Sequence, residues 1–83
     1  MNREQTETFL KTLPSAVGRF VTVDVELIEV RDKAVLVEGM TGVHSKRSWL
    51  PKSQLAFVDR GNFGLALAVK RQWVAMKSLW WME

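Results

Sequence analysis

His44 is the one imidazole in this chain of 83 residues, and there is no cysteine to act beside it. Proton transfer near neutral pH and nucleophilic attack both favour those two residue types, so the usual starting points for catalysis are nearly missing. The acids are scattered, with no pair at a spacing that marks a general acid and base. A single histidine without clustered partners is a poor zinc site. Placed between Val43 and Ser45, just after Gly42, His44 reads as a solvated loop residue. No glycine loop followed by the Lys-Ser/Thr that cradles a phosphate occurs. The expectation is a protein that is not an enzyme, holds no cofactor or metal and acts on no small-molecule substrate.

The residue types point instead to binding. His44, Lys46, Arg47, Trp49 and Lys52 interleave positive charge with an aromatic ring, and Arg60 and Phe63 follow closely. Small β-barrels use this mixture to track a phosphate backbone and stack bases. Trp49 alternates with Leu50, so only one of them faces inward. A domain this small needs large buried side chains, which puts Trp49 in the core ahead of a stacking role. The run Arg60-Gly61-Asn62-Phe63-Gly64-Leu65-Ala66-Leu67 is similar to an RNA-binding strand signature of basic residue, glycine, aromatic, glycine and aromatic. Asn62 interrupts it, and only Phe63 is left to stack a base, so the glycines suit a hairpin turn better.

The last residues offer a second kind of surface. Lys70, Arg71, Gln72 and Lys77 lie among Trp73, Val74, Met76, Leu79, Trp80, Trp81 and Met82. A monomer of this length cannot bury all of those apolar groups. Trp80, Trp81 and Met82 therefore either form an interface, with a host protein or in a homodimer, or fold back over an open barrel end. Insertion into a membrane surface is disfavoured because the helix is short and has few flanking basic residues.

Charge and composition set the frame for these sites. The net charge of +3 is unevenly spread. Residues 1–43 carry five Lys/Arg against seven Asp/Glu, while residues 44–83 carry seven against two, giving −2 and +5. Such a split suggests a basic face for an anionic partner; the plainer alternative is an ordinary solvated surface. An apolar content of 47%, with four Trp and four Phe, argues for a packed single domain. The start of the chain is polar and acidic, unlike a signal peptide. No apolar run approaches the ~20 residues that cross a bilayer. A location in the cytoplasm of a bacterial host is the expectation.

The elements that position these residues follow from periodicity. Thr6, Phe9, Leu10 and Leu13 share a helical face, which predicts a helix over 3–13 ended by Pro14. From Arg19 the period becomes two: Val21, Val23, Val25 and Leu27 alternate with Thr22, Asp24 and Glu26. The parity slips at Leu27-Ile28, which predicts a bulge or bend in one long first strand. Arg31-Asp32-Lys33 is a tight turn into a strand over 34–38, and residues 39–46 read as a loop. A strand over 47–50 meets Pro51, whose fixed φ opens a short 3₁₀ turn. Residues 55–58 form another strand, with a turn at 59–62. Residues 63–81 fit one long helix by spacing, but Leu65, Leu67 and Val69 also alternate. A strand to about Val69, then a helix from Arg71 to about Leu79, is favoured.

Three stretches carry a resemblance: Ala34-Val35-Leu36-Val37-Glu38-Gly39, then Trp49-Leu50-Pro51-Lys52-Ser53-Gln54-Leu55, then Gln72-Trp73-Val74-Ala75 with Lys77 and Leu79. Their order and spacing resemble a group of small, poorly characterised proteins encoded by bacteriophages, prophages and plasmids. In these a W-[LI]-P-K-S-Q turn joins the third and fourth strands and a W-[LV]-A helix closes the chain. The resemblance covers residues 20–80, with the helix at 3–13 as an addition. Here Ser45-Lys46-Arg47-Ser48 is more basic, and Trp80-Trp81 more aromatic, than the group's pattern. The resemblance implies a small bent-sheet β-barrel and a mobile-element origin, and it implies no catalytic residue.

The expected fold is mainly β within an α+β chain: a small, bent, antiparallel barrel of the SH3-like or OB-like kind with a short helix at each end. It divides into an N-terminal helical extension (1–18), a barrel core (19–69) and a C-terminal helix with aromatic tail (70–83). The leading functional expectation is nucleic-acid binding through Lys46, Arg47, Lys52, Arg60, Lys70 and Arg71, with Trp49 or Phe63 stacking. The alternative is a protein–protein module, an inhibitor or adaptor of a host protein such as a defence or nucleic-acid-handling complex, acting through Trp80, Trp81 and Met82.

Overall fold

Alternating apolar residues build six strands, and the chain changes sheet between Thr22 and Glu26 while the alternation runs on. The computed structural model describes residues 1–82, and the side chains of all of these except Thr41 and Trp80. The elements run α1 (Arg3–Leu10), β1 (Phe20–Thr22), β2 (Glu26–Val30), β3 (Ala34–Thr41), β4 (His44–Pro51), β5 (Leu55–Asp59), β6 (Leu65–Lys70) and α2 (Arg71–Met76). Short 3₁₀ turns occupy Lys52–Gln54, Gly61–Phe63 and Trp80–Met82. The strands form two three-stranded antiparallel sheets, ordered β1-β6-β5 and β2-β3-β4. Among the described residues the two ladders are separate, so the fold is α+β with two small sheets, without closure into one continuous barrel. No described helix is long and apolar enough to cross a membrane.

The single long strand expected from Arg19 is in fact two strands in different sheets. Between them Val23 N–H donates to Leu67 O at 3.0 Å and Asp24 N–H to Met82 O at 2.6 Å, so the crossing keeps its backbone paired. The bulge expected near Leu27-Ile28 is present, as a register shift between Leu27 and Glu29. The loop expected over 39–46 is a hairpin instead, with strand pairing from Ala34↔Pro51 out to Thr41↔His44. Gly42 opens its two-residue turn at φ 63, a left-handed geometry that glycine adopts without strain. His44 is therefore an exposed strand-end residue, not part of a long loop. The proline turn, the strand at 65–70 and the switch to helix at Arg71 fall where periodicity and Pro51 place them.

Both helices are shorter than expected. Asn2 and Gln5 make a reciprocal capping box at the start of α1, which ends at Leu10; Thr12 and Leu13 N–H then bond Phe9 and Leu10 carbonyls in tighter turns. In α2 the stop is Ser78, held at φ 54, after which Leu79 N–H returns to Val74 O at 2.9 Å. The N-terminal stretch belongs to the core. Phe9, Leu10 and Leu13 pack with Leu27, Val35, Val37, Leu50, Leu55, Leu67, Val69 and Val74 between the sheets. The segment after α1 covers the edge of β5, where Ser15 bridges Phe57 and Ala16 N–H donates to Phe57 O.

The aromatic tail closes the open end of this core. Met82 is fully buried, and half-buried Trp81 lies on Gly39, where an added Cβ would sit 2.9 Å from the indole and 3.2 Å from a Val25 methyl. Gly39→Ala should therefore push the tail off β3 and cost about 1–3 kcal/mol, the range for overpacking. Thermal unfolding and tryptophan emission of the variant check this, and a wild-type midpoint with unchanged emission contradicts it.

Candidate functional site

Cross-strand register decides which of the charged and aromatic residues share a face. On the outer face of β2-β3-β4, Leu36 stands opposite Trp49, Glu38 opposite Arg47 and Met40 opposite Ser45. Val35 opposite Leu50 and Val37 opposite Ser48 form the inner face. Trp49 is thus outside, 42% exposed, and Leu50 is the buried member of the pair, the reverse of the expectation. Alternation places the two on opposite faces but is silent on which face is inward. The core chooses Leu50 because α1 and β2 supply aliphatic neighbours to that side.

This outer face holds cations that already have partners. The Arg31 guanidinium stacks 4.7 Å from the Trp49 ring centroid, and its Nε donates to Glu29 at 2.7 Å. Arg47 Nε donates to Glu38 at 2.7 Å, and Glu38 in turn faces Glu26 across the β2–β3 ladder. Lys46 pairs with Gly39 and so lies on the opposite side of the strand from Arg47. Lys52 sits over the Phe9 ring at 5.7 Å. The expected constellation of Lys46, Arg47, Trp49 and Lys52 is therefore spread over two faces and an edge, with Arg47 tied to an acid.

The remaining candidates lie at the two ends of one hairpin. Arg60 and Phe63 occupy the β5–β6 turn, which Asp59 stabilises by accepting the Gly61 N–H at 2.9 Å; Phe63 is 81% exposed. Lys70 and Arg71 lie at the far end of β6, roughly 17–20 Å away at the rise of an extended strand. There they meet Arg19, which the sequence reading passed over: Phe20 pairs with Lys70, and Arg71 N–H donates to Arg19 O at 3.0 Å. Val17, Phe20, Gln72 and Ala75 complete a groove around these three cations. Among the described residues none of the three makes an ion pair, and no acid lines the groove. No sequence spacing could have found Arg19, because its nearness to Arg71 comes from the β1–β6 pairing alone.

The tail residues Trp81 and Met82 are packed onto and into the protein's own core, so Met82 is not open to a partner; Trp80 lies outside the described side chains. His44 is exposed at the β3–β4 hairpin, and no cluster of three or more His, Asp or Glu suited to a metal ion occurs among the described residues. No protein family, curated protein or solved structure matches the chain.

The Glu26–Glu38–Arg47 row makes a testable demand. Like charges directly opposite one another destabilise a ladder, and Arg47 is what relieves this one. Arg47→Gln should cost about 0.5–1 kcal/mol at low salt and markedly less at high salt, where the two carboxylates are screened. Thermal midpoints at the two ionic strengths check it; an equal loss at both would assign the role of Arg47 to packing of its aliphatic stem.

Proposed function

We propose that this chain is a non-enzymatic nucleic-acid-binding protein of a phage or other mobile element, working in the cytoplasm of a bacterial host. The observation that carries the reading is the groove of Arg19, Lys70 and Arg71, three cations gathered at one pole with no acid among its described lining residues. An unpaired basic group bordered by apolar surface suits a phosphate backbone, while Phe20 and Val17 give a base or sugar an apolar face to rest on. The Gln72 amide adds a donor and an acceptor beside them. The two face-to-face sheets fit a small bent barrel of the SH3-like or OB-like kind, a scaffold that binds ligands on its rim and grooves. Binding by this route is electrostatic and tolerant of sequence, because phosphate contacts hold the strand without reading bases.

The test replaces Lys70 and Arg71 with Glu and follows a labelled oligonucleotide by anisotropy across a range of salt. Wild-type affinity should fall with salt with a log–log slope of about 2–3, the value for three phosphate contacts. The double variant should lose most of its affinity and most of that slope, whereas Lys46→Glu on the other sheet should change little. Loss of binding in Lys46→Glu with none in the double variant would move the interface away from the groove. No binding by the wild type at low salt would end the nucleic-acid reading.

A further inference from the structure

The pole opposite the basic groove carries the reverse charge. A recess there lies between α1, the start of β2, the end of β3 and the C-terminal turn, with Trp81 and Gly39 among its lining residues. Two apolar side chains at its border are left to solvent: Met40 is 63% and Phe63 81% exposed. Four carboxylates, Glu7, Asp24, Glu26 and Glu38, also line it. Two of them have intramolecular partners, since Arg3 approaches Glu7 at 3.9 Å and Arg47 holds Glu38 at 2.7 Å. Asp24 and Glu26 make no ion pair among the described residues. The α-amino group of Met1, which with Arg3 also lines the recess, donates to Leu27 O at 3.3 Å, while Lys46 opposite Gly39 and Arg60 in the turn before Phe63 are not lining residues.

The charge arrangement is unfavourable for folding alone. Glu26 stands directly opposite Glu38, and the one cation in that row is bonded to Glu38. An incoming positive charge turns this repulsion into attraction, and exposed Met and Phe side chains beside it gain by being covered. Nucleic acid is repelled from the same recess by its carboxylates.

We propose that this recess docks a basic, apolar segment of a partner protein. A Lys or Arg head enters toward Asp24, Glu26 and Glu38, and the apolar residues flanking it cover Met40, Phe63 and Trp81. Charge complementarity selects the head group, and the half-buried indole with a flexible thioether accepts varied apolar neighbours. This surface does not depend on the basic groove, which lies at the other end of β6.

The experiment titrates the intact protein with a short synthetic peptide of alternating Lys and Leu, read by tryptophan fluorescence and calorimetry. A peptide with Glu in place of Lys is the control. The Lys peptide should bind with an affinity that falls as salt rises, and the Glu peptide should not bind. Glu26→Gln should weaken binding about tenfold while leaving the thermal midpoint unchanged or raised, because it removes one of two facing charges. Met40→Ser should weaken it by a similar factor through the apolar half of the contact. Asp32→Asn, in the turn at the far end of the β2–β3 ladder, should bind as the wild type does. Equal binding by Glu26→Gln and the wild type overturns the proposal, as does an equal loss in Asp32→Asn. Light scattering that shows a dimer, dispersed by Glu26→Gln, would assign the recess to a second copy and also overturn it.

Discussion

Between Thr22 and Glu26 the chain must leave one sheet and enter the other, and the rest of the structure depends on how that crossing is satisfied. An extended segment buried without partners would strand its amides. Here Val23 finds the Leu67 carbonyl on β6, and Asp24 finds the Met82 carbonyl at the end of the chain. The C-terminal turn is thus a structural part of the crossing: it accepts a hydrogen bond, places Met82 in the core and lays Trp81 over Gly39. A domain of this length has little core to spare, and the tail supplies residues that the two sheets by themselves lack. The N-terminal helix does the same from another side with Phe9, Leu10 and Leu13.

The crossing also sorts the surface. With β1 paired to the C-terminal half of β6, Arg19 is brought to Lys70 and Arg71. With β2 paired to β3, Glu26 and Glu38 are brought together, close to the start of β6. The strand β6 therefore runs from an acidic, partly apolar recess to a basic groove across a molecule about 28 Å wide. The modest net charge of +3 conceals this separation, since it averages over the two poles. Among the described residues Arg19, Lys70 and Arg71 at one pole and Asp24 and Glu26 at the other are left over after ion pairing, whereas Arg31 and Arg47 on the outer sheet face are held by Glu29 and Glu38.

What could be read along the chain was whatever local geometry forces. The slip of parity at Leu27-Ile28 requires an extra residue in the ladder, and the bulge is there. Pro51 lacks a donor and has a fixed φ, so the strand ends and a 3₁₀ turn follows at Lys52–Gln54. Alternation at Leu65, Leu67 and Val69 followed by helical spacing marks the change at Arg71. Gly39 misled because a glycine in a polar stretch resembles a loop signal. Its actual reason is the Trp81 ring, an absent Cβ making room for a residue far along the chain.

By itself, then, the sequence determined the bulge near Leu27-Ile28, the proline turn, the change from strand to helix at Arg71 and the poverty of catalytic side chains, because each follows from neighbours a few residues apart. It also determined that Trp49 and Leu50 face opposite ways. Only the tertiary structure decided which of them is inside, that Lys46 and Arg47 part company, that Met82 is core, and that Arg19 joins Lys70 and Arg71. The physical reason is that strand alternation has two equivalent parities until a second layer covers one of them. Charges likewise acquire partners or lose them only when strands distant in sequence are set side by side.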